Sequence, residues 1–441
     1  MSELRWLNRN GHMAWLACNP SSAIHRRSAG NAVPVRMTRC VDPRATAAIG
    51  SFCREQGIDV VHAHSPKDAW LCVPLHALGF PVVRSRQITN PVSSRWSRSI
   101  VYRAGCRHLI ATAECIRLDL IRRNRVKPER ISLVGEGVDL SRFHPDVDRE
   151  TLRREFRIGS ASPLFGVLAM IRPEKGHRTF IEAARMTLKS FPVARFAIIG
   201  EGTGSRETEQ WLRKQLRSAF GSECGGPVFM TGFREDVEQV IAALDVVVVP
   251  STAEAQSLVI PQAFASGRPV IASAVGGIPE LVQHEETGLL TPAGNPAALA
   301  DAMSRLIRDP DLRKRLGAAG LRYARSHLSF EDRMAETITV YRKAINRSSR
   351  RPRRAARARS RSSKRYTVTF RLRLCVTLLL VLLPLLKQDI PLEGWNATGP
   401  SRPYAFHFGF PNSWSAIQPS DPPPSEHSEI PPSQDDDDVL T

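Results

Sequence analysis

From residue 12 to about residue 345 the chain alternates short apolar runs with stretches of helical periodicity, and that alternation leaves few folds open. Runs at 12–18, 33–37, 59–62, 81–85, 108–112 and 131–134 read as strands. Helical patterns at 43–56, 66–78, 94–104 and 113–124 lie between several of them. A second series of strands follows at 164–171, 195–199, 228–231, 246–249 and 270–272, again with helical patterns between most of them. A helix between two strands returns the chain to the same end of the sheet, so the strands pair in parallel with helices on both faces. Residues 139–163 carry turn and charged residues and read as a junction. The expected class is α/β, two doubly wound units in tandem, with ligands at the C-terminal ends of strands facing a cleft. A chain of 441 residues accommodates two such units plus extensions.

Composition narrows the classes further. With 42% apolar and 24% charged residues, the chain is neither wholly disordered nor a polytopic membrane protein. Its eight cysteines show no CxxC spacing, which excludes a zinc ribbon and a CxxC redox site. The net charge of +19 suggests a nucleic-acid binder until it is located: residues 342–373 hold fourteen Lys or Arg and no Asp or Glu. The basicity is one block rather than a property of the fold. It reads as a surface for anionic lipid, a nucleic-acid patch or a solvated linker. The apolar run 374–386 that follows favours the membrane reading, on the cytoplasmic face, through residues 342–386. At about 1.5 Å per residue a helix over that run reaches roughly 20 Å, short of a ~30 Å hydrocarbon core, so a buried helix segment is the alternative. Residues 347–365 are Arg/Ser-rich and 400–441 Pro/Ser-rich, and both are expected to be disordered.

The chemistry-bearing residues sit after strands. Arg172-Pro173-Glu174-Lys175-Gly176 follows the first strand of the second series and opens a helix. Two cations three residues apart there can straddle a diphosphate, and the alternative is an exposed basic turn. Glu254 follows the run 246–250; it either points into the cleft, where it can accept hydrogen bonds from sugar hydroxyls, or faces solvent at a helix start. A helix beginning near Gln256 presents unpaired amides, and Gln262 would stand about a turn and a half into it. Gly276 and Gly277 supply a tight turn before a further helix. Gly200-Glu201-Gly202-Thr203-Gly204 hints at a dinucleotide fingerprint but has Ser205 where the third glycine belongs. Asp146-Val147-Asp148 has the form of a metal-binding DxD, yet its place in a polar junction reads as loop.

Together these segments resemble the GT-B glycosyltransferases, specifically the large retaining family numbered four. The resemblance spans residues 5–345 and is densest over 254–303, with supporting segments at 59–64, 137–143, 172–176 and 200–202 in the family's order. It implies two Rossmann-like domains around a nucleotide-sugar cleft. Residues 1–145 would form the acceptor-side domain, 160–328 the donor domain, and 329–345 a helix crossing back to the first. A basic linker (346–373), the apolar segment (374–386) and a tail (387–441) would follow. The resemblance further implies that Arg172 and Lys175 hold the donor diphosphate and that Glu254 is the catalytic-site carboxylate on the donor sugar. Amides near Leu258 would meet the phosphate, Gln262 the ribose, and Gly232 and Phe233 would flank the base. Such enzymes need no bound metal or separate cofactor; the nucleotide-diphosphate sugar, foremost a UDP-sugar, is the co-substrate.

The expected activity is retaining, hexosyltransferase-like transfer to a glycan or lipid-linked acceptor, in bacterial-type cell-surface polysaccharide or lipopolysaccharide synthesis. Nucleic acid is not an expected partner. Gln262 stands where the family usually has Glu, and Gln87 stands close to where it often has a His. A glutamine cannot take a proton at neutral pH. These departures support a second expectation, a non-catalytic, membrane-tethered binder of nucleotide sugars. His62 and His64 lie near the cleft and read as structural. The match also starts late, at residue 4, without the first strand and glycine-rich loop, so the central strand of the first sheet is expected to be vacant and Met1 not to be the native start.

Overall fold

The computed structural model describes residues 2–349 except 29, 40, 90–95, 203–205 and 222–225. Everything from residue 350 on, including most of the basic linker, the apolar run 374–386 and the Pro/Ser-rich tail, lies outside the described residues, as does Ser205. The strands are β1 (Leu16–Cys18), β2 (Ala32–Pro34), β3 (Val61–Ala63), β4 (Val82–Arg86), β5 (His108–Ala111) and β6 (Ile131–Leu133). They continue with β7 (Leu164–Leu168), β8 (Arg195–Ile199), β9 (Val228–Gly232), β10 (Val246–Val249), β11 (Val270–Ser273) and β12 (Gly288–Thr291). The helices are α1 (Ser2–Arg9), α2 (Ala23–Arg27), α3 (Pro43–Glu55), α4 (Pro66–Ala77), α5 (Trp96–Arg103), α6 (Glu114–Arg122), α7 (Glu150–Glu155) and α8 (His177–Leu188). After them come α9 (Arg206–Phe220), α10 (Val237–Ala243), α11 (Val259–Ala265), α12 (Ile278–Leu281), α13 (Pro296–Arg308), α14 (Pro310–His327) and α15 (Phe330–Ser349).

All pairings between these strands are parallel. The second half forms one six-stranded sheet in the order β12-β11-β10-β7-β8-β9. Its central strand β10 is four valines, all buried. Val246 and Val248 pack into one apolar cluster with Phe165 and Phe180, whereas Val247 and Val249 pack into another with Ile260 and Phe264. A strand covered on both faces has no polar side to show, hence an unbroken apolar run. The first half forms two sheets, β1-β2 and β3-β4-β5-β6, and no described strand joins β1 to β3.

Four helices start with the same pattern, a capping side chain followed by proline at the first helical position. They are Asp42-Pro43, Ser65-Pro66, Asn295-Pro296 and Asp309-Pro310. The cap oxygen takes an otherwise unpaired amide, as Asp309 Oδ1 does from Leu312 N at 2.8 Å, and proline forfeits no bond there. Each such cap is worth about 1 kcal/mol. Before α4 the arrangement is reciprocal, Ser65 Oγ accepting from Asp68 N and Asp68 Oδ2 from Ser65 N.

Two elements depart from expectation. The junction 139–163 contains α7, just ahead of which Asp148 Oδ1 accepts from Glu150 N at 2.8 Å. That gives half of the DxD a structural task. β12 pairs with β11 at the sheet edge, where two leucines flanked by glycine and threonine are too short an apolar run to announce a strand. The last helix, α15, runs from the second half onto the first. Val340, Tyr341 and Ala344 are buried against Val83, Ile110 and Val134, covering one face of β4, β5 and the residue after β6. Among the described residues no helix is long and apolar enough to cross a membrane.

Candidate functional site

The ends of β7, β8, β9 and β10 meet along one side of the second sheet. β7 leads to Ile171, which bridges Gly202 and donates its amide to Glu201 O at 2.9 Å. Arg172 is extended, Pro173–Lys175 makes one 3-10 turn, and Gly176 is left-handed at φ 70°. An added Cβ at Gly176 would overlap the Pro250 carbonyl oxygen, so only glycine lets this turn lie against the end of β10. Thr252 N completes the junction by donating to Glu174 O at 2.8 Å.

That junction brings Lys175 Nζ to 2.6 Å from Glu254 Oε2, the two residues for which the family resemblance implies contacts to a diphosphate and a sugar. Ser251 Oγ, 3.3 Å away, donates to the same oxygen. The Lys175 and Glu254 side chains are 22% and 12% exposed, so the pair is accessible yet partly desolvated. Arg172 lies beside it in sequence, 3.8 Å from Glu174. The carboxylate is held from behind: Gly276, at φ 56°, presses on the Glu254 carbonyl, and Gly277 donates its amide to Ala255 O at 2.8 Å. The Gly-Gly turn is therefore a close-approach site, and no Cβ fits at either position.

Among the described residues, the other expected donor residues make no hydrogen bond to this pair. α11 begins at Val259 rather than near Gln256, with exposed Leu258 as its cap residue and no side-chain cap. Gln262 is half-buried one turn into that helix. Gly232 has φ 71° and accepts from Gly200 N at 2.9 Å, and Phe233 beside it is 57% exposed. His177, behind the turn, is buried, makes a 3.1 Å contact to Met170 O, and burial lowers its pKa.

The facing side comes from the first half. His62 on β3 is held between Tyr341 Oη (2.7 Å) and Ser85 Oγ (2.8 Å), and burial, with His64 beside it, keeps its pKa well below the usual value. His62 is thus structural, tying α15 to the first sheet. His64 packs against it with the ring centroids 4.0 Å apart and the rings tilted by 39°, and stands 3.6 Å from Glu3 on α1. Gln87 is exposed immediately after β4.

Two residues escaped sequence reasoning. Glu280 on α12 reaches across to the start of α6, accepting from Glu114 N at 2.9 Å and Cys115 N at 3.4 Å. The residue before α6, Ala113, offers no side-chain cap, which was the one local hint that a cap must come from elsewhere. Glu136, after β6, donates its amide to Gln256 Oε1 at 2.9 Å. Burial, then the Glu3 and Glu254 carboxylates, push its carboxyl up to about 7. No local pattern marks either residue.

Residues 3–142 match the family described as Glycosyltransferase Family 4, and residues 162–309 the family described as Glycosyl transferases group 1. Among curated relatives, the D-inositol 3-phosphate glycosyltransferase of Corynebacterium glutamicum is 29% identical over 322 residues, covering 68% of this chain and 76% of that one. The protein of the same name from Corynebacterium jeikeium is 31% identical over 310 residues, covering 64% and 71%. Among solved structures, a glycosyltransferase from Rickettsia africae superposes with a TM-score of 0.68 at 16% identity over 78% of this chain and 93% of that one. The Anabaena protein HepE, solved with UDP-glucose, gives 0.65 at 20% identity over 79% and 94%. These likenesses establish the GT-B fold, and with the sequence matches they show that the chain belongs to glycosyltransferase family 4, the group 1 glycosyl transferases.

Proposed function

We propose that this chain moves a hexosyl group, with retention, from a UDP-sugar to a hydroxyl of a glycan or lipid-linked acceptor. The observation that carries this reading is the 2.6 Å contact between Lys175 and Glu254 at the meeting point of two strand ends. A cation for the diphosphate and a carboxylate for the sugar must be neighbours if the bond between sugar and phosphate is to break between them. Arg172 and Lys175 then meet the negative charge growing on the leaving diphosphate. Amides near Leu258 take a phosphate oxygen, Gln262 the ribose, and Gly232 with Phe233 the base. In this reading residues 1–145 form the acceptor side, 160–328 the donor side, and 329–345 the strap between them. The nucleotide sugar is the one small co-substrate it calls for. The relatives' names point to a phosphorylated cyclitol acceptor rather than to polysaccharide.

Release of UDP from a panel of UDP-sugars tests the reading. Turnover is expected, and Lys175→Ala should slow it or weaken UDP binding at least about tenfold, the loss of one charge-assisted contact worth about 1.5–3 kcal/mol. A second reading, a non-catalytic binder of nucleotide sugars, draws on Gln87, exposed at the end of β4 with no proton to exchange near neutral pH. UDP binding without turnover of any UDP-sugar would select it.

The proposal extends to a place of work, the cytoplasmic face of a membrane. Fourteen basic residues over 342–373, followed by the apolar run 374–386, support it. Each Lys or Arg near an anionic leaflet adds about 1 kcal/mol, screened by salt. The full chain should sediment with phosphatidylglycerol-containing vesicles at low salt and far less with pure phosphatidylcholine. Equal sedimentation with both, or none with either, removes this part of the proposal.

A further inference from the structure

The end of β3 carries two histidines two positions apart, His62 and His64, and the period of a strand puts such residues on one face. Their ring centroids are 4.0 Å apart. Glu3, in the first turn of α1, completes a trio. Glu3 Oε2 stands 3.6 Å from His64 Nε2, and a potential ligand atom from each of the three residues lies within 4.8 Å of the other two. At metal–ligand bonds of about 2.0–2.2 Å, two ligand atoms on one tetrahedral ion stand roughly 3.4 Å apart. The Glu3–His64 pair is already close to that spacing. The wider separations close by rotation of Glu3 and His64, whose side chains are 41% and 42% exposed, so an ion can reach both from solvent.

His62 is the inner member of the trio. Its two ring nitrogens meet hydroxyls, Tyr341 Oη at 2.7 Å and Ser85 Oγ at 2.8 Å. Whichever nitrogen turns to an ion gives up one hydroxyl, and the other nitrogen keeps its own. A ligating imidazole is oriented by such a bond on its far nitrogen. Two imidazole nitrogens and one carboxylate oxygen suit zinc and its first-row neighbours, whereas magnesium and calcium favour oxygen ligands. Three protein ligands leave a fourth position for water. The place is one where an ion has a mechanical task. No residue of α1 is fully buried, and an exposed ion pair such as Glu3–His64 adds little to its attachment.

We propose that Glu3, His62 and His64 bind one divalent transition-metal ion of zinc's class, and that this ion fastens α1 to the end of β3. Through the hydrogen bond from His62 to Tyr341 the same point holds α15. The task is structural and independent of the donor reading, since neither Lys175 nor Glu254 takes part.

The test uses the full chain stripped with EDTA and titrated with zinc chloride or, in parallel, magnesium chloride. Zinc at about a hundredfold over its Kd should raise the melting temperature by several degrees, and magnesium should not. Zinc should also slow amide exchange over residues 2–9. His64→Ala and Glu3→Gln replace half-exposed side chains, so both should melt near the native temperature without metal. Each should weaken zinc binding at least about tenfold and abolish the slower exchange over 2–9. The chain also has eight cysteines that can take zinc, so cobalt serves as a second probe. The cobalt absorption that His64→Ala loses should lack the thiolate band that cysteine ligation gives. Equal zinc affinity in the native protein and both variants overturns the proposal, as does an equal shift with magnesium. So does a thiolate band in the absorption lost, or zinc binding with exchange over 2–9 unchanged.

Discussion

Gly276→Ala is expected to lower kcat/KM by about 100-fold or more, the scale on which a displacement of roughly 1 Å in a catalytic group acts. The new methyl would fall inside the Glu254 carbonyl oxygen, a backbone atom that no rotamer change can move aside. Relief must come from shifting the 251–255 loop, and with it the carboxylate that stands 2.6 Å from Lys175. Gly276 also holds φ 56°, which strains any other residue. Gly294→Ala separates the two effects. That glycine has φ 69° but nothing within 4 Å of its added Cβ, so it carries the backbone strain without the collision. Gly294→Ala should cost about 1 kcal/mol of stability and leave turnover near native. Native-like turnover in Gly276→Ala, or equal losses in the two variants, would remove the clamp on Glu254 from the site.

Arg153→Met is expected to cost about 3–5 kcal/mol of stability, a larger effect than any single surface change. Arg153 is 1% exposed and gathers three segments that meet beneath the second sheet. Its guanidinium donates to Ala243 O (3.2 Å), Ser162 O (3.2 Å) and Asp245 Oδ2 (2.6 Å), and the same aspartate oxygen accepts from Leu164 N, where β7 begins. Removing the cation leaves Asp245 largely buried, with Arg149 at 3.8 Å as its remaining ionic partner. Thermal unfolding of this part should fall by roughly 6–20 °C, at about 2–4 °C per kcal/mol for a domain of this size. Arg153→Met combined with Asp245→Asn removes the stranded charge and keeps an acceptor for Leu164 N, so it should recover part of the loss. A double variant less stable than the single one would mean that charge pairing is not what Arg153 supplies.

The two variants differ in how visible they were beforehand. Gly276 lies in a Gly-Gly pair that reads as a turn, and the structure adds the reason glycine is needed, a carbonyl in the way. Arg153 lies in a charged stretch that reads as loop. Nothing in residues 149–155 reveals that one arginine among several is buried, because its partners at 162, 243 and 245 belong to other elements. The same holds for Glu280, which caps a helix 166 residues earlier in the chain, and for Glu136, whose character comes from carboxylates at positions 3 and 254. His62 was read as structural, and Tyr341 supplies the reason.

By itself the sequence determined the order of eleven of the twelve described strands and their parallel pairing, and it singled out Arg172, Lys175 and Glu254 as candidate site residues. Those features are local: apolar period follows from which face of a strand or helix is buried, and caps act within one turn. Tertiary structure alone decided the latch from Glu280 onto α6, the buried Arg153 and the elevated Glu136 carboxyl. Each depends on groups brought together from distant parts of the chain, where a charge's energy is set by what surrounds it rather than by its neighbours in sequence.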